Sequence, residues 1–449
     1  MDRRRFILQA AGAAAALTLA PSAGRARWLA RRRRPNVLLI MSDDLGYADL
    51  GITGRTDYRT PVLDQLAREG VQLSQFYTSA PVCTPTRVAL MTGRYPARTP
   101  AGLYEPLTDE PVGLDPDPPT LGTLMKRAGY DTALVGKWHL GTLPKYHPLR
   151  HGFDEFYGFL GPAADYASHM DTETRRNLFL DGTRPVETRG YLTDLFTERA
   201  VRIVSRRRSR PFFLNLQYNA PHWPWQGPGD PPYPDSVSPS SGGSPETYAR
   251  MVSSMDAGVA RVLEALRRHG EEDDTLVVFT SDNGGERYSH MGPFSAGKMT
   301  LNEGGLRVPA MARWPGVIAE GSRTDQVAAT MDLTATFAAV AGASTAGAAP
   351  MDGIDLTPAL TGVRGAVPRE LYWRIFQRRK QKAMRAGDWK YLQTADGEFL
   401  YDLASDAGEK TDLKDRYPRV FRQLREKMAA WEGQVLAPIP LPPGGGGRS

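Results

Sequence analysis

The run Asn36-Val37-Leu38-Leu39-Ile40-Met41 stops abruptly at Ser42-Asp43-Asp44. A run without polar alternation suits a strand covered on both faces, as in a parallel sheet flanked by helices. Ala133-Leu134-Val135, Phe212-Phe213-Leu214-Asn215-Leu216 and Leu276-Val277-Val278-Phe279 repeat the pattern. Helical signals fall between them. Thr60-Pro61 opens a segment with Val62, Leu63, Leu66 and Ala67 on one face and Gly70 closing it, and a second helix is predicted from Thr120 to Gly129. Helical patterns also cover about 191–206 and 247–268. Strand and helix alternate, which predicts an α/β fold with a large, mostly parallel sheet sandwiched by helices. At 449 residues and 41% hydrophobic composition the chain can bury a sizeable core, and its length suits two or three folding units.

Turn-rich sequence from Gly342 to Pro368 marks a boundary. Beyond it Leu371–Arg374, Trp389–Leu392 and Glu398–Tyr401 read as short strands, followed by a helix over about 419–432. The expected organisation is a leader at 1–26, a basic linker at 27–35, a larger α/β domain at 36–345, a smaller α+β domain with a short antiparallel sheet at 346–436, and a disordered Pro/Gly-rich tail at 437–449.

The net charge of +6 is not a nucleic-acid signature. Nine arginines against Asp2 give residues 1–34 a charge of +8, which leaves −2 for the rest. Arg3-Arg4-Arg5-Phe6-Ile7-Leu8, an Ala/Leu-rich stretch to Ala20 and Pro21-Ser22-Ala23-Gly24-Arg25-Ala26 look like a twin-arginine export signal. The expected location is therefore periplasmic or secreted, with the twin-arginine machinery as a partner and no nucleic acid. One cysteine, Cys83, cannot form an internal disulfide, so in an exported protein it is buried and inert, bridged to another chain, or chemically used.

In open α/β sheets ligands bind beyond the carboxyl ends of the strands. Polar groups stand at those ends four times: Asp43-Asp44, Lys137 and His139 in Gly136-Lys137-Trp138-His139-Leu140-Gly141, His222, and Asp282-Asn283. Carboxylates gathered in one place repel unless a cation neutralises them, and oxygen donors favour Ca²⁺ or Mg²⁺ over zinc. Gly292-x4-Gly297-Lys298 imitates a phosphate-binding loop, but Met299 stands where Ser or Thr would ligate magnesium.

Cys83-Thr84-Pro85-Thr86-Arg87, followed by Thr92-Gly93-Arg94, resembles the signature of the formylglycine-dependent sulfatases. The resemblance extends through Asn36–Asp44, Gly136–Gly141, Asn219-Ala220-Pro221-His222, Ser281–Gly285, Glu303-Gly304-Gly305-Leu306-Arg307-Val308-Pro309 with Lys298 upstream, Gly387–Tyr391 and Leu400–Leu403. One departure stands before Lys298, where many members carry Arg-Gly and this chain has Ser295-Ala296.

The resemblance implies an alkaline-phosphatase-like fold and a sulfatase, arylsulfatase-like, that acts through formylglycine made from Cys83 by a separate generating enzyme. It implies a metal ion, Ca²⁺ with Mg²⁺ also compatible, held by Asp43, Asp44, residue 83, Asp282 and Asn283. Arg87 and Lys137 would hold the nucleophile and the charged oxygens. His222 and Lys298 would contact sulfate and assist the departing alcohol, and His139 would be the base that releases sulfate from residue 83. The substrate would be a small sulfate ester or a sulfated glycan. A phosphonate monoester or phosphodiester hydrolase of the same superfamily is the nearest rival, and a non-catalytic exported binding protein the rival from another class. His290 could approach the pocket, and Tyr166, Trp223 and Trp225 could line a cleft or belong to the core.

Overall fold

The computed structural model describes residues 34–438 apart from 107, 235, 377 and 378. The leader, most of the basic linker and most of the tail therefore lie outside the described residues. A ten-stranded sheet dominates. Its strands are β1 (Asn36–Ser42), β2 (Val71–Leu73), β4 (Asp131–Lys137), β5 (Glu155–Phe159), β6 (Phe179–Asp181), β7 (Arg184–Pro185), β8 (Phe212–Gln217), β9 (Thr275–Ser281), β10 (Met311–Arg313) and β11 (Ser322–Thr324). They lie in the order β11-β2-β10-β9-β1-β8-β4-β5-β6-β7. The centre, β9-β1-β8-β4-β5, is parallel throughout, while β10 joins β9 and β6 joins β5 antiparallel. Short strands β3 (Phe76–Tyr77) and β12 (Ala328–Ala329) pair in parallel beside it.

The apolar runs are explained by two cores, one on each face. Val37, Leu39 and Met41 of β1 pack into one core with Val88, Leu121 and Phe337, from helices Cys83–Thr92, Leu121–Arg127 and Thr330–Ala341. Leu38 and Ile40 enter the other, with Leu63, Phe196 and Met255 from helices Pro61–Arg68, Leu192–Val204 and Pro245–Arg268. All of β1 is buried. At about 1.5–3 kcal/mol per large side chain, this double burial explains why β1 tolerates no polar alternation. Among the described residues no helix is long and apolar enough to cross a membrane.

Beyond residue 369 a separate four-stranded antiparallel meander forms from β13 (Glu370–Ile375), β14 (Gln381–Ala386), β15 (Trp389–Thr394) and β16 (Gly397–Asp402), with helix Pro418–Glu432 against it. The sequence reading found β13, β15 and β16 but not β14, whose Gln381-Lys382-Ala383-Met384-Arg385-Ala386 carries two cations. Pairing on both edges makes it a strand, and its charges are satisfied outside the sheet, Lys382 by Glu432 at 2.6 Å and Arg385 by the Tyr77 hydroxyl.

Candidate active site

Sheet register brings the strand-end groups to one level. Ser42 pairs with Ser281, and Gln217 pairs with both Met41 and Gly136. Asp43-Asp44, Asp282-Asn283, Lys137–His139 and Asn219–His222 consequently leave the sheet side by side. Asp44 (φ 63°) and His139 (φ 53°) adopt the left-handed conformation just past their strands, an uncommon state for non-glycine residues and one that clusters at functional sites. At Gly136, φ 110° and a Gln217 carbonyl oxygen 1.8 Å from where a Cβ would stand exclude any side chain, so β4 approaches β8 closely just before Lys137. The turn after Asp44 is tied down by buried Asp49, which accepts from Gly46 N–H at 2.7 Å, Tyr248 hydroxyl at 2.6 Å and His290 N–H at 2.8 Å, and pairs with Arg55 at 2.9 Å.

Cys83 opens the helix Cys83–Thr92 and is buried. Its thiol lies 3.3 Å from Asp43 Oδ1 and 3.5 Å from Lys137 Nζ. Lys137 Nζ also stands 2.6 Å from Asp43 Oδ2. Arg87, one turn along the helix, places Nη2 2.9 Å from Asp282 Oδ2 and 3.5 Å from Asp43 Oδ2, while its Nη1 donates to Gln217 Oε1 at 3.0 Å. Lys298 Nζ lies 2.6 Å from Asp44 Oδ2, and His222 Nε2 lies 3.6 Å from the same oxygen. His222 Nδ1 is 2.6 Å from the Trp223 carbonyl, which can only accept, so the ring hydrogen sits on Nδ1 and Nε2 faces the site bare. Among the described residues, both ring nitrogens of buried His139 lack a hydrogen-bond partner.

Burial sets much of the electrostatics. It pushes the Cys83 thiol well up, with Asp282 and Asp43 adding to the effect, so the unmodified side chain is a poor nucleophile. Burial also pushes Asp43 up, but Lys137, Arg87 and Lys298 outweigh it and hold this carboxyl below its ordinary range. Asp44 goes the other way: burial, reinforced by Asp43, Glu286 and Asp282, raises it despite Lys298. His139 is held well below 6.5 by burial and then by Lys137 and Arg87, and His222 by burial and then by Lys298 and Lys137. Both imidazoles are therefore neutral near pH 7.

These residues fit a hard cation. Asp43, Asp44 and Asp282 converge, and Asn283 donates Nδ2 to Asp44 Oδ1 at 2.7 Å while its buried Oδ1 has no partner among the described residues. An orphaned amide oxygen beside a carboxylate pushed up by burial and by neighbouring carboxylates is the arrangement that a divalent ion relieves. One oxygen each from Asp43, Asp44 and neighbouring ligand atoms of Cys83 and His222 lie within 4.8 Å of one another.

All ten residues singled out from the sequence meet here. His290 does not join them: its side chain is exposed, and its backbone ties down the turn, the N–H donating to Asp49 and the carbonyl accepting from Ala48 N–H. Tyr166 belongs to the core, its hydroxyl donating to the carbonyls of Asn219 at 2.7 Å and His222 at 3.0 Å, and Trp225 is buried. Two participants were missed. Gln217 completes a strand and carries no motif. Glu105, on an irregular loop, accepts from Thr84 N–H at 3.3 Å and brings a carboxylate oxygen within 4.8 Å of ligand atoms of Cys83 and His139. No local pattern announces either one, because only the folded loops bring them near residue 83.

Residues 35–343 match the family model described as Sulfatase, and residues 295–434 match the one described as N-sulphoglucosamine sulphohydrolase, C-terminal. N-acetylgalactosamine-6-sulfatase of Homo sapiens is 36% identical over 356 residues, covering 73% of this chain and 66% of that protein. The chain thus spans just under two thirds of that relative's length. Arylsulfatase A of Bos taurus is 34% identical over 90% of this chain and 87% of its own. The crystal structure of Ps i-CgsB in complex with k-i-k-neocarrahexaose superposes with a TM-score of 0.82 at 33% identity, covering 90% of this chain and 94% of that one.

Proposed function

The chain belongs to the sulfatase family, and on that premise we propose that it is a sulfuric ester hydrolase whose reaction centre is residue 83. The observation that carries the proposal is the position of Cys83 at a helix start, between Asp43 and Lys137 and within a ring of strand-end groups. The buried thiol is too weak a nucleophile for this work, which favours its conversion to formylglycine, whose hydrate supplies the attacking hydroxyl. A divalent ion, Ca²⁺ or Mg²⁺, held by Asp43, Asp44, residue 83, Asp282 and Asn283 would supply Lewis-acid polarisation of a sulfate oxygen.

The protein's own groups account for the rest. Arg87 and Lys137 hold Asp43 ionised beside residue 83 and offset negative charge building there. Lys298 and His222 flank Asp44 from the other side, where they would meet sulfate oxygens and the ester oxygen that departs. His139, neutral and without a competing partner on either nitrogen, is free to take a proton from a hydroxyl on residue 83.

Support for a saccharide as the alcohol comes from the structural relative that carries k-i-k-neocarrahexaose, and support for a sulfated amino sugar from N-acetylgalactosamine-6-sulfatase. We divide the chain into a catalytic unit at 36–345 and a C-terminal unit at 346–436. Its proposed partners are a formylglycine-generating enzyme and the twin-arginine machinery, and its proposed location is outside the cytoplasm.

The test is the mass of the proteolytic peptide bearing residue 83, from protein made in a host able to convert such cysteines, alongside turnover of an aryl sulfate and a phenylphosphonate ester. An aldehyde at residue 83 with preferential sulfate release supports the proposal. Preferential turnover of the phosphonate moves the assignment to the rival hydrolase, and a persistent thiol without turnover moves it to a binding protein.

A further inference from the structure

Lys298 reaches Asp44 from a loop that groups of the C-terminal unit hold by hydrogen bonds and ion pairs. The loop leaves Ser295 and returns at Glu303, with Ala296 (φ 57°) and Met299 (φ 67°) in the left-handed region. Its backbone is anchored to the body by Lys298 N–H on the Gly285 carbonyl at 3.0 Å and Met299 N–H on the Pro81 carbonyl at 2.8 Å. The neck is closed by Gly304 N–H on the Ser295 carbonyl at 2.8 Å. It is narrow because Gly304 and Gly305 carry no side chain: a Cβ on Gly304 would stand 2.4 Å from the carbonyl oxygens of Ser295 and Ala296, and one on Gly305 2.1 Å from that of Thr300.

Three groups from beyond residue 369 grip this neck. Glu409 accepts at one carboxylate oxygen from both Ser295 hydroxyl at 2.6 Å and Glu303 N–H at 2.7 Å. Lys390 on β15, fully buried, bridges Glu409 at 2.8 Å and Glu303 at 2.9 Å. Gln381 on β14 accepts from Leu301 N–H at 2.8 Å. The Ser295 hydroxyl is short enough to let the same Glu409 oxygen reach the Glu303 amide as well.

We propose that Glu409, paired with Lys390, is a positioning residue of the reaction centre, holding the 295–304 loop in the shape that delivers the Lys298 ammonium to Asp44. The C-terminal sheet is then part of the catalytic apparatus without contributing an atom to the pocket. This inference rests on the sulfatase reading only for its kinetic consequence.

The test uses the full chain, matured at residue 83, as wild type, Glu409→Gln, Ser295→Ala and Lys298→Ala, with both loop changes also combined with Lys298→Ala. Glu409→Gln is expected to lower kcat/KM on an aryl sulfate on the order of 10- to 100-fold, the scale of an ångström-sized misplacement, and Ser295→Ala to lower it by less. In the Lys298→Ala background both changes should have little further effect, because they act through the missing ammonium. Amide hydrogen exchange supplies a readout independent of turnover: peptides covering 296–303 should exchange faster in both variants while those of β1 and β9 do not. Effects of full size that persist without Lys298, or unchanged exchange at 296–303, would overturn the proposal. Faster exchange in a wild-type background that cleaves no sulfate ester would instead count against the sulfatase reading and leave the positioning role supported.

Discussion

Each group at the candidate site is defined by what stands beside it. His139 illustrates this best, since its motif marks the residue but only the fold shows two bare, buried ring nitrogens next to residue 83. Replacing it in His139→Ala should lower kcat by a factor on the order of 10² to 10⁴, the usual contribution of a positioned base, with KM for an aryl sulfate changing far less; steady-state kinetics would show this, and an equal loss in KM alone would assign His139 to binding. Asp44 and the orphaned Asn283 oxygen lead to a second expectation. Chelation of divalent ions should abolish turnover and lower Tm, and restoring Ca²⁺ should reverse both, because an ion that binds only the native state stabilises it by about 3–4 kcal/mol at a hundred- to thousandfold excess over its dissociation constant. Calorimetry with and without chelator would check it. The motif residues were legible one by one because strand-end carboxylates and histidines have a recognisable placement. Gln217 and Glu105 were not, since nothing in their neighbours distinguishes them from an ordinary strand end and an ordinary loop.

Among elements, the helix Pro61–Arg68 shows how one segment is held by another distant in sequence. Its first amides, Val62 and Leu63 N–H, donate at 3.2 and 2.8 Å to Asp256, in the middle of helix Pro245–Arg268. Thr60, the residue a sequence reading would choose as cap, uses its hydroxyl on Asp64 instead. Burial raises the Asp256 carboxyl from 3.8 to about 6 even though both amide contacts oppose the shift. Between about pH 4 and pH 6 the native state therefore holds a proton that the unfolded chain has released, and stability falls as pH rises through that window. Asp256→Asn keeps an acceptor for the Leu63 amide without the charge. It should flatten this part of the pH–stability profile and stabilise the protein above pH 6 by about 2–3 kcal/mol, measured by denaturant unfolding at several pH values; an unchanged profile would show that Asp256 stays ionised throughout. Where helices and strands occur was readable from apolar periodicity and from Pro and Gly at their ends. Strand β14 was not, because partners on both edges override a weakly apolar, doubly charged segment.

In the whole molecule, the helix that carries Cys83 puts Val88, Leu90 and Met91 into a core beneath the large sheet and Ala89 into the core shared with the C-terminal meander. Tyr77, Val82, Ala89, Leu301 and Leu306 share one core with Leu371, Trp373, Met384 and Tyr391, so the meander is joined to the segments around residue 83 and the 295–306 loop by apolar contact as well as by the Lys390–Glu303 ion pair. Trp373 is central to this junction, 2% exposed, with its indole N–H on the Thr78 carbonyl at 2.8 Å. Trp373→Ala should cost about 3–5 kcal/mol, seen as a lower midpoint in denaturant, and a loss under 1 kcal/mol would mean the meander is held to the rest of the molecule mainly through charge. By itself the sequence determined that the chain builds a parallel sheet between helices, that polar groups wait at its strand ends, and that residue 83 lies in a sulfatase motif. These are local properties, carried by residues within a few positions of one another. Which strands are neighbours, that Glu105 and Gln217 join the site, and that a loop bearing Lys298 is gripped by sheet residues 80 and 87 positions from their partners were decided only by tertiary structure. Parallel strands bring their carboxyl ends together by register, and a buried charge such as Lys390 is tolerated only where the fold supplies its partners.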